Sequence, residues 1–209
     1  MLLPDNLLEG EFLKRLNRFS ALVKIQGKEI KVYLPNSGRM KELLLKGAGV
    51  YLNLAHSPER ITSYDLLLVA SEKTLVSVDS RIPNRLLEEY FEKGTLPSFE
   101  KYRLLRREVK YMRSRLDFLL EYKGKLCYVE AKSVTLNRGG IAFFPDAPTE
   151  RGRHHLQALI QLRQEGHQAC IIFVAQREDS LSFSPNDETD PEFGQTLRKA
   201  IASGVGAHV

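Results

Sequence analysis

Cysteine is scarce: Cys127 and Cys170 are the only two in 209 residues. Two thiols in a chain this long give no disulfide framework, and no CxxC pair offers a zinc site. Each lies in an apolar run, Leu126-Cys127-Tyr128-Val129 and Ala169-Cys170-Ile171-Ile172-Phe173-Val174, as a small buried hydrophobe would. Long apolar runs are also missing. No stretch reaches the ~18 residues of a membrane span. The opening Met1-Leu2-Leu3-Pro4-Asp5 is broken by a proline and an acid before a leader could form. The sequence therefore predicts a cytoplasmic protein with no membrane association. Internal repeats and low-complexity segments are absent, and no helix-turn-helix pattern offers sequence-specific DNA readout. His154 and His155 are adjacent with no third ligand nearby, which excludes a zinc pair.

What is present is an ordinary globular composition, 43% apolar, with a formal net charge of +5. A mild basic excess suits nucleic acid. Its distribution is more informative. Between Lys101 and Arg115 lie seven cations (Lys101, Arg103, Arg106, Arg107, Lys110, Arg113 and Arg115) against one acid, Glu108, with Tyr102 and Tyr111 interleaved. Phosphate backbones attract such stretches through counterion release; a solvated face is the other reading.

The first part of the chain reads as β-rich. Strands are expected over 19–25 and 29–34 about a turn at Gly27, then over 50–55, 61–70 and 74–78. A short helix is expected over 40–45, closed by Gly47. Five strands with one helix fit a small barrel such as an OB-fold, although strand count does not separate it from other small β folds. In the second part a helix is expected over 83–92, with Pro83 in the first turn and Gly94 at the stop. Strands follow over 104–109, 116–121 and 126–132, then a helix over 149–165 ended by Gly166. A buried strand over 169–175 and a helix over 192–202 complete the order. This is an α+β or α/β arrangement: a mixed sheet flanked by helices. The domains divide into 1–80 and 81–209.

The chemistry gathers on one hairpin. With Lys123-Gly124 as a two-residue turn, Tyr122 faces Lys125, Leu119 faces Tyr128, and Asp117 faces Glu130, while Arg115 faces Lys132. Glu130 and Lys132 share a face through the period-two alternation of a strand. Like charges opposed on a sheet are costly, and the apolar neighbours Phe118, Leu120, Val129 and Ala131 add desolvation. A divalent cation reverses the sign of that cost. Two carboxylates, a backbone carbonyl and water suit Mg²⁺, and Lys132 could polarise an attacking water or stabilise transition-state charge. The bland alternative is a surface lattice of Arg115, Asp117, Glu130 and Lys132, worth little.

Asp117, twelve residues, then Glu130-Ala131-Lys132 resembles the PD-(D/E)xK motif of the restriction-endonuclease-like superfamily, with Leu116 in the proline's place. Further blocks are more specific. Leu34-Pro35-Asn36-Ser37-Gly38-Arg39-Met40 is followed by Ile82-Pro83-Asn84-Arg85-Leu86. Then come Ser114-Arg115-Leu116-Asp117-Phe118-Leu119-Leu120 and Tyr128-Val129-Glu130-Ala131-Lys132-Ser133-Val134-Thr135-Leu136. Last is Phe144-Pro145-Asp146-Ala147-Pro148-Thr149-Glu150-Arg151-Gly152-Arg153-His154-His155-Leu156. In this order the set closely resembles the sugar fermentation stimulation protein A family over nearly the whole chain. The resemblance implies an amino-terminal OB-fold and a carboxy-terminal nuclease-like domain. It also implies non-specific DNA binding and a role in regulating sugar metabolism, notably of maltose. It leaves open whether the core is a Mg²⁺-dependent deoxyribonuclease.

On this reading Asp117 and Glu130 are metal ligands and Lys132 a catalytic partner. Glu108 is a further acid on the strand before Asp117, or the partner of Arg106 or Lys110. Glu88 and Glu89 fit exposed helix surface better than a site. Arg151 and His155, four apart on one helix face near its amino-terminus, could contact a phosphate or a DNA strand; Glu150 and Glu165 could equally pair with them. Asp146 could cap that helix or approach the metal, the cap being favoured. Arg39, Arg106, Arg107, Arg113 and Arg115 complete the candidate contacts to single- or double-stranded DNA. Phe19, Tyr33, Tyr51 and Tyr64 are candidate base-stacking residues or simply core.

Overall fold

The computed structural model describes residue 4 and residues 6–55, 60–72 and 74–209. Met1, Leu2, Leu3 and Asp5, on which the leader reading rests, lie outside the described residues. In chain order the elements begin with β1 (Leu8–Asn17), β2 (Ser20–Ile25), β3 (Lys28–Tyr33), β4 (Gly49–Leu54), β5 (Tyr64–Ser71) and β6 (Thr74–Ser77). Next come α1 (Ile82–Lys93), β7 (Arg103–Tyr111), β8 (Ser114–Tyr122), β9 (Lys125–Val134), β10 (Leu136–Arg138) and β11 (Ile141–Phe144). The chain continues with α2 (Glu150–Gln164), β12 (Gln168–Ala175), β13 (Ser182–Pro185), α3 (Pro191–Ala202) and β14 (Gly206–His208). Among the described residues no helix is long and apolar enough to cross a membrane.

The described structure divides into two compact units. One holds Met1–Ile82, Thr135–Ala142 and Gln176–Ser182; the other holds Pro83–Val134, Phe143–Ala175 and Phe183–Val209. Two later segments therefore return to the first unit, a feature no linear boundary expresses.

In the first unit the strands run β3-β2-β1-β4-β5-β6, and a parallel pairing of Tyr33 with Asp65 joins β3 to β5. That contact closes β1 to β5 into a five-stranded barrel of the OB type, and β6 extends β5 as a hairpin. The short turn expected at Gly27 is a two-residue one, with Gln26 and Gly27 both at positive φ between β2 and β3. Alternate residues point inward, so Ala21, Val23, Val32, Val50 and Leu52 fill the core, and a register shift in the β4–β5 pairing lets Leu66 and Val69 join them.

Two features differ from the sequence expectation. β1 carries no clear apolar alternation because it is bulged at two places and buries fully only Phe12. Gly10 is needed in it: a Cβ there would lie 2.7 Å from Val23 Cγ1 and 3.0 Å from the Lys24 carbonyl oxygen. The helix expected over 40–45 is a single turn. The Leu43 and Leu44 amides both donate to the Met40 carbonyl, at 3.1 and 2.9 Å, and Met40 has positive φ. Six residues cannot repay helix nucleation. Burial of Met40 and Leu43 and the bond from Gly47 N to Phe12 O at 2.8 Å hold the segment instead.

In the second unit the sheet order is β14-β12-β9-β8-β7. β7, β8 and β9 are an antiparallel meander, β12 lies parallel beside β9, and β14 lies parallel beside β12. The parallel step from β9 to β12 needs a crossover, which α2 supplies. Phe91 of α1 packs edge-on against Phe99 and Phe118, seating that helix on the sheet. Both cysteines are buried and free in this core. Apart from this sheet, β10, β11 and β13 form a three-stranded sheet whose strands of three or four residues are too short for periodicity to announce.

Candidate metal centre

The hairpin forms as its sequence directs. Lys123 and Gly124 both have positive φ, and the pairs run from Tyr122 with Lys125 to Phe118 with Val129. One further step sets Asp117 beside Glu130. There the ladder ends, because the Ala131 amide turns to Asp117 Oδ2 at 2.8 Å. Asp117 Oδ1 accepts from Asn84 Nδ2 at 2.7 Å, so the first turn of α1 reaches the same carboxylate. Burial pushes the Asp117 carboxyl up to about 6, and the charge of Glu130 adds to that; the Ala131 amide, Lys132 and Asn84 pull it back.

Glu130 is 2% exposed in the middle of the sheet. Its Oε1 is bonded by Lys132 Nζ and by His155 Nδ1. The far nitrogen of His155 faces Arg151 Nε at 3.4 Å; since that N–H can only donate, the proton of a neutral imidazole sits on Nδ1. Burial opposes ionisation of Glu130, but the Lys132 ammonium and His155 outweigh it and hold the carboxyl below its usual value. Among the described residues Glu130 Oε2, which is buried, has no hydrogen-bond partner. An acceptor left dry and unpaired costs about 1–3 kcal/mol, more when charged.

These residues fit a hard divalent cation. The unpaired Glu130 Oε2 and the Asp117 oxygens, each with capacity beyond its one donor, form an oxygen set of the kind Mg²⁺, Mn²⁺ or Ca²⁺ accepts. Among the described residues no group of three or more His, Cys, Asp or Glu is placed to hold a metal ion. Backbone carbonyls and water would complete the coordination.

The structure therefore brings Asp117, Glu130 and Lys132 together and adds Asn84 and His155. His155, expected as a contact to phosphate or DNA, is only 4% exposed and serves Glu130 instead. Asn84 was missed, although it stands in the Ile82-Pro83-Asn84-Arg85-Leu86 block just after the proline that starts α1. Glu108 is not brought in. It lies across β7 from Asp117 in register, but its φ of 53° accompanies an exposed side chain whose carboxylate is 3.6 Å from Arg115, not paired with Arg106 or Lys110. The β8–β9 ladder stops before Arg115 could face Lys132. Asp146 is not the cap of α2: Thr149 Oγ1 accepts from Gly152 N at 3.1 Å. Glu88 pairs with Arg107 at 2.7 Å and Glu89 with Lys93 at 2.7 Å.

Arg39, Arg106, Arg113, Arg115 and Arg151 are exposed. The loop that carries Arg39 is pinned by Arg15, whose guanidinium donates to the carbonyls of Asn36 and Arg39 at 2.9 and 3.0 Å. In the barrel unit Arg60 and Arg81 lie over the Tyr33 ring, 5.1 and 5.7 Å from its centroid, and both bind the buried Asp65.

Comparison with known proteins agrees with this architecture. Residues 13–78 match the family description "SfsA N-terminal OB domain", and residues 81–209 match "Sugar fermentation stimulation protein RE domain". A sugar fermentation stimulation protein homolog of Moorella thermoacetica is 48% identical over 205 residues, covering 97% of this chain and 88% of the relative. One from Caldanaerobacter subterraneus subsp. tengcongensis is 44% identical, covering 98% and 90%. The solved structure of Pyrococcus furiosus SfsA in complex with Ca²⁺ is 31% identical and covers 100% of this chain and 91% of that one, with a TM-score of 0.92.

Proposed function

Since this chain belongs to the sugar fermentation stimulation protein family, we propose that it binds DNA without sequence preference and holds a divalent cation at Asp117 and Glu130. The carrying observation is Glu130 Oε2, a buried carboxylate oxygen left without a partner beside a second carboxylate. Ca²⁺ in the Pyrococcus furiosus relative supports an oxygen-liganded cation; Mg²⁺ is the ion we assign in the cell. We place the domain boundary at 80/81, the site of action in the cytoplasm, and the biological role in regulating sugar metabolism, maltose included.

In the second unit DNA would be gripped by the exposed guanidiniums of Arg106, Arg113 and Arg151; Arg39 is a candidate contact of the barrel unit by itself. Arg107 and Arg115 are weaker contributors because Glu88 and Glu108 already pair with them. No residue pattern offers base readout, so phosphate contacts carry the affinity.

A second reading is an active nuclease, favoured by the intact Asp117, Glu130 and Lys132. When bound, the cation supplies Lewis acidity at a phosphate oxygen. The chain's own residues would do the rest. Asn84 and the Ala131 amide fix Asp117, His155 orients Glu130, and Lys132 keeps positive charge where phosphate charge develops.

The deciding experiment is incubation of single-stranded, duplex and branched DNA with Mg²⁺ or Mn²⁺, wild type against Asp117→Ala. Binding by both proteins without cutting supports the regulator. Cutting by wild type alone establishes the nuclease and assigns its site. Asp117→Ala is expected to keep or raise DNA affinity, since it removes a negative charge near phosphate. Failure of wild type to bind any of the three DNAs would overturn both readings.

A further inference from the structure

We propose that this centre takes one divalent cation per chain, and that Asn84 sets the limit by presenting an amide where a third carboxylate would have to stand. The proposal rests on the cation site assigned above and adds its stoichiometry and the residue that determines it.

The charge balance comes first. Asp117 and Glu130 bring two negative charges, and Lys132 returns one positive charge directly on Glu130 Oε1. One dication leaves a local excess of about one positive charge. A second, held the ~3.5–4 Å from the first that paired metal sites use, would leave about three in a partly dry pocket. Two-metal clamps offset this with further carboxylates. Among the described residues no third acidic group is clustered with these two to hold a metal, and Glu88, Glu89 and Glu108 are paired to Arg107, Lys93 and Arg115.

The hydrogen-bond geometry agrees. Only Asn84 reaches Asp117 from α1, and it does so as a donor, 2.7 Å from Oδ1. Chemistry fixes the orientation of this amide, because its oxygen against a carboxylate oxygen would repel. Nδ2 is therefore spent on holding Asp117 and cannot ligate. On the other carboxylate, Lys132 and His155 both occupy Oε1, leaving Oε2 as the single unpaired oxygen. One unpaired oxygen beside one fixed carboxylate describes a single seat. An aspartate at position 84 has nearly the same shape and would supply the missing ligand.

The test is a titration of the full chain with Mn²⁺ in the absence of nucleic acid. Calorimetry counts the ions, and electron paramagnetic resonance separates isolated Mn²⁺ from a magnetically coupled pair. Wild type is expected to saturate at one ion with an uncoupled spectrum, and Asn84→Asp at two with a coupled one. Two ions in wild type, or one ion in Asn84→Asp, would overturn the proposal. Asp117→Ala serves as the separate control. Its loss of uptake keeps the cation site in place whatever the count. Uptake unchanged in it, or no uptake by wild type, removes the site itself and this inference with it. Should Asn84→Asp fail to fold by circular dichroism, the wild-type count alone decides.

Discussion

At the scale of single residues, Asp117 carries the cost of the site. Its carboxyl is raised to about 6 from an ordinary 3.8, chiefly by burial. The folded state thus binds a proton there more readily than the unfolded chain does. That contribution to stability is present at low pH and is lost as pH rises through 6. Glu130 is shifted the opposite way and contributes stability that fails only below its ordinary 4.5. Between about pH 4.5 and 6.5 Asp117 titrates clear of Glu130, while His208, whose imidazole pKa is lowered by burial, contributes with the opposite sign, so Asp117 is read from the difference between wild type and its alanine variant. In chelator, urea unfolding should show the wild type gaining stability as pH falls through this window. A shift of about two pKa units sets a ceiling of ~3 kcal/mol on the gain. Asp117→Ala should show no such slope, and saturating Ca²⁺ should flatten it in wild type. Profiles of the same slope for wild type and Asp117→Ala in chelator would mean that Asp117 is not desolvated as described.

At the scale of elements, the helix starts decide whether the second unit holds. Asp190 is 3% exposed and joins two of them. Its carboxylate accepts from Phe193 N, capping α3, and from Thr149 N at the start of α2, while Arg153 NH1 bonds both its oxygens. Asp190→Ala should cost about 3 kcal/mol by denaturant unfolding, since it strips a cap and leaves a partly buried guanidinium with only the exposed carboxylate of Glu192 at 3.3 Å. A loss under ~1 kcal/mol would show the network to be redundant. Legibility followed the same lines. Helices with strong terminal signals, such as Pro83 with Gly94 and Gly166 after α2, and the hairpin with Lys123-Gly124, were readable because local chemistry alone fixes them. β1 was not, since its charged and bulged sequence is held by neighbours on both sides. The turn at Met40 looked helical because its leucines have helical spacing, while their burial is a tertiary decision. In the site, Asp117, Glu130 and Lys132 could be read from strand alternation. Asn84 and His155 could not, because their roles depend on where two helices dock.

For the whole molecule, the net charge of +5 governs its behaviour towards a polyanion. Affinity for duplex DNA should fall steeply between 50 and 200 mM salt, with a log–log slope of about −0.9 for each phosphate contacted. Arg106→Glu with Arg113→Glu should weaken binding at least about tenfold at low salt and shallow that slope by about two contacts, without loss of fold. Fluorescence anisotropy over a salt series reads both quantities. Unchanged affinity would make β7 a solvated face and move the interface elsewhere.

The returning segments of the barrel unit bear on how the protein is made. The Ser77 amide at the end of β6 bonds the Gln176 carbonyl at 2.9 Å, and Arg177 binds the Thr135 carbonyl at 3.2 Å. The partner of that edge is encoded about a hundred residues downstream, which a ribosome adds in ~5–20 s. For that interval the nascent chain presents a nearly finished barrel with an open strand edge, the kind of surface that pairs with wrong partners. Synthesis rate and chaperone access over the second half of the message therefore govern the yield of the first half.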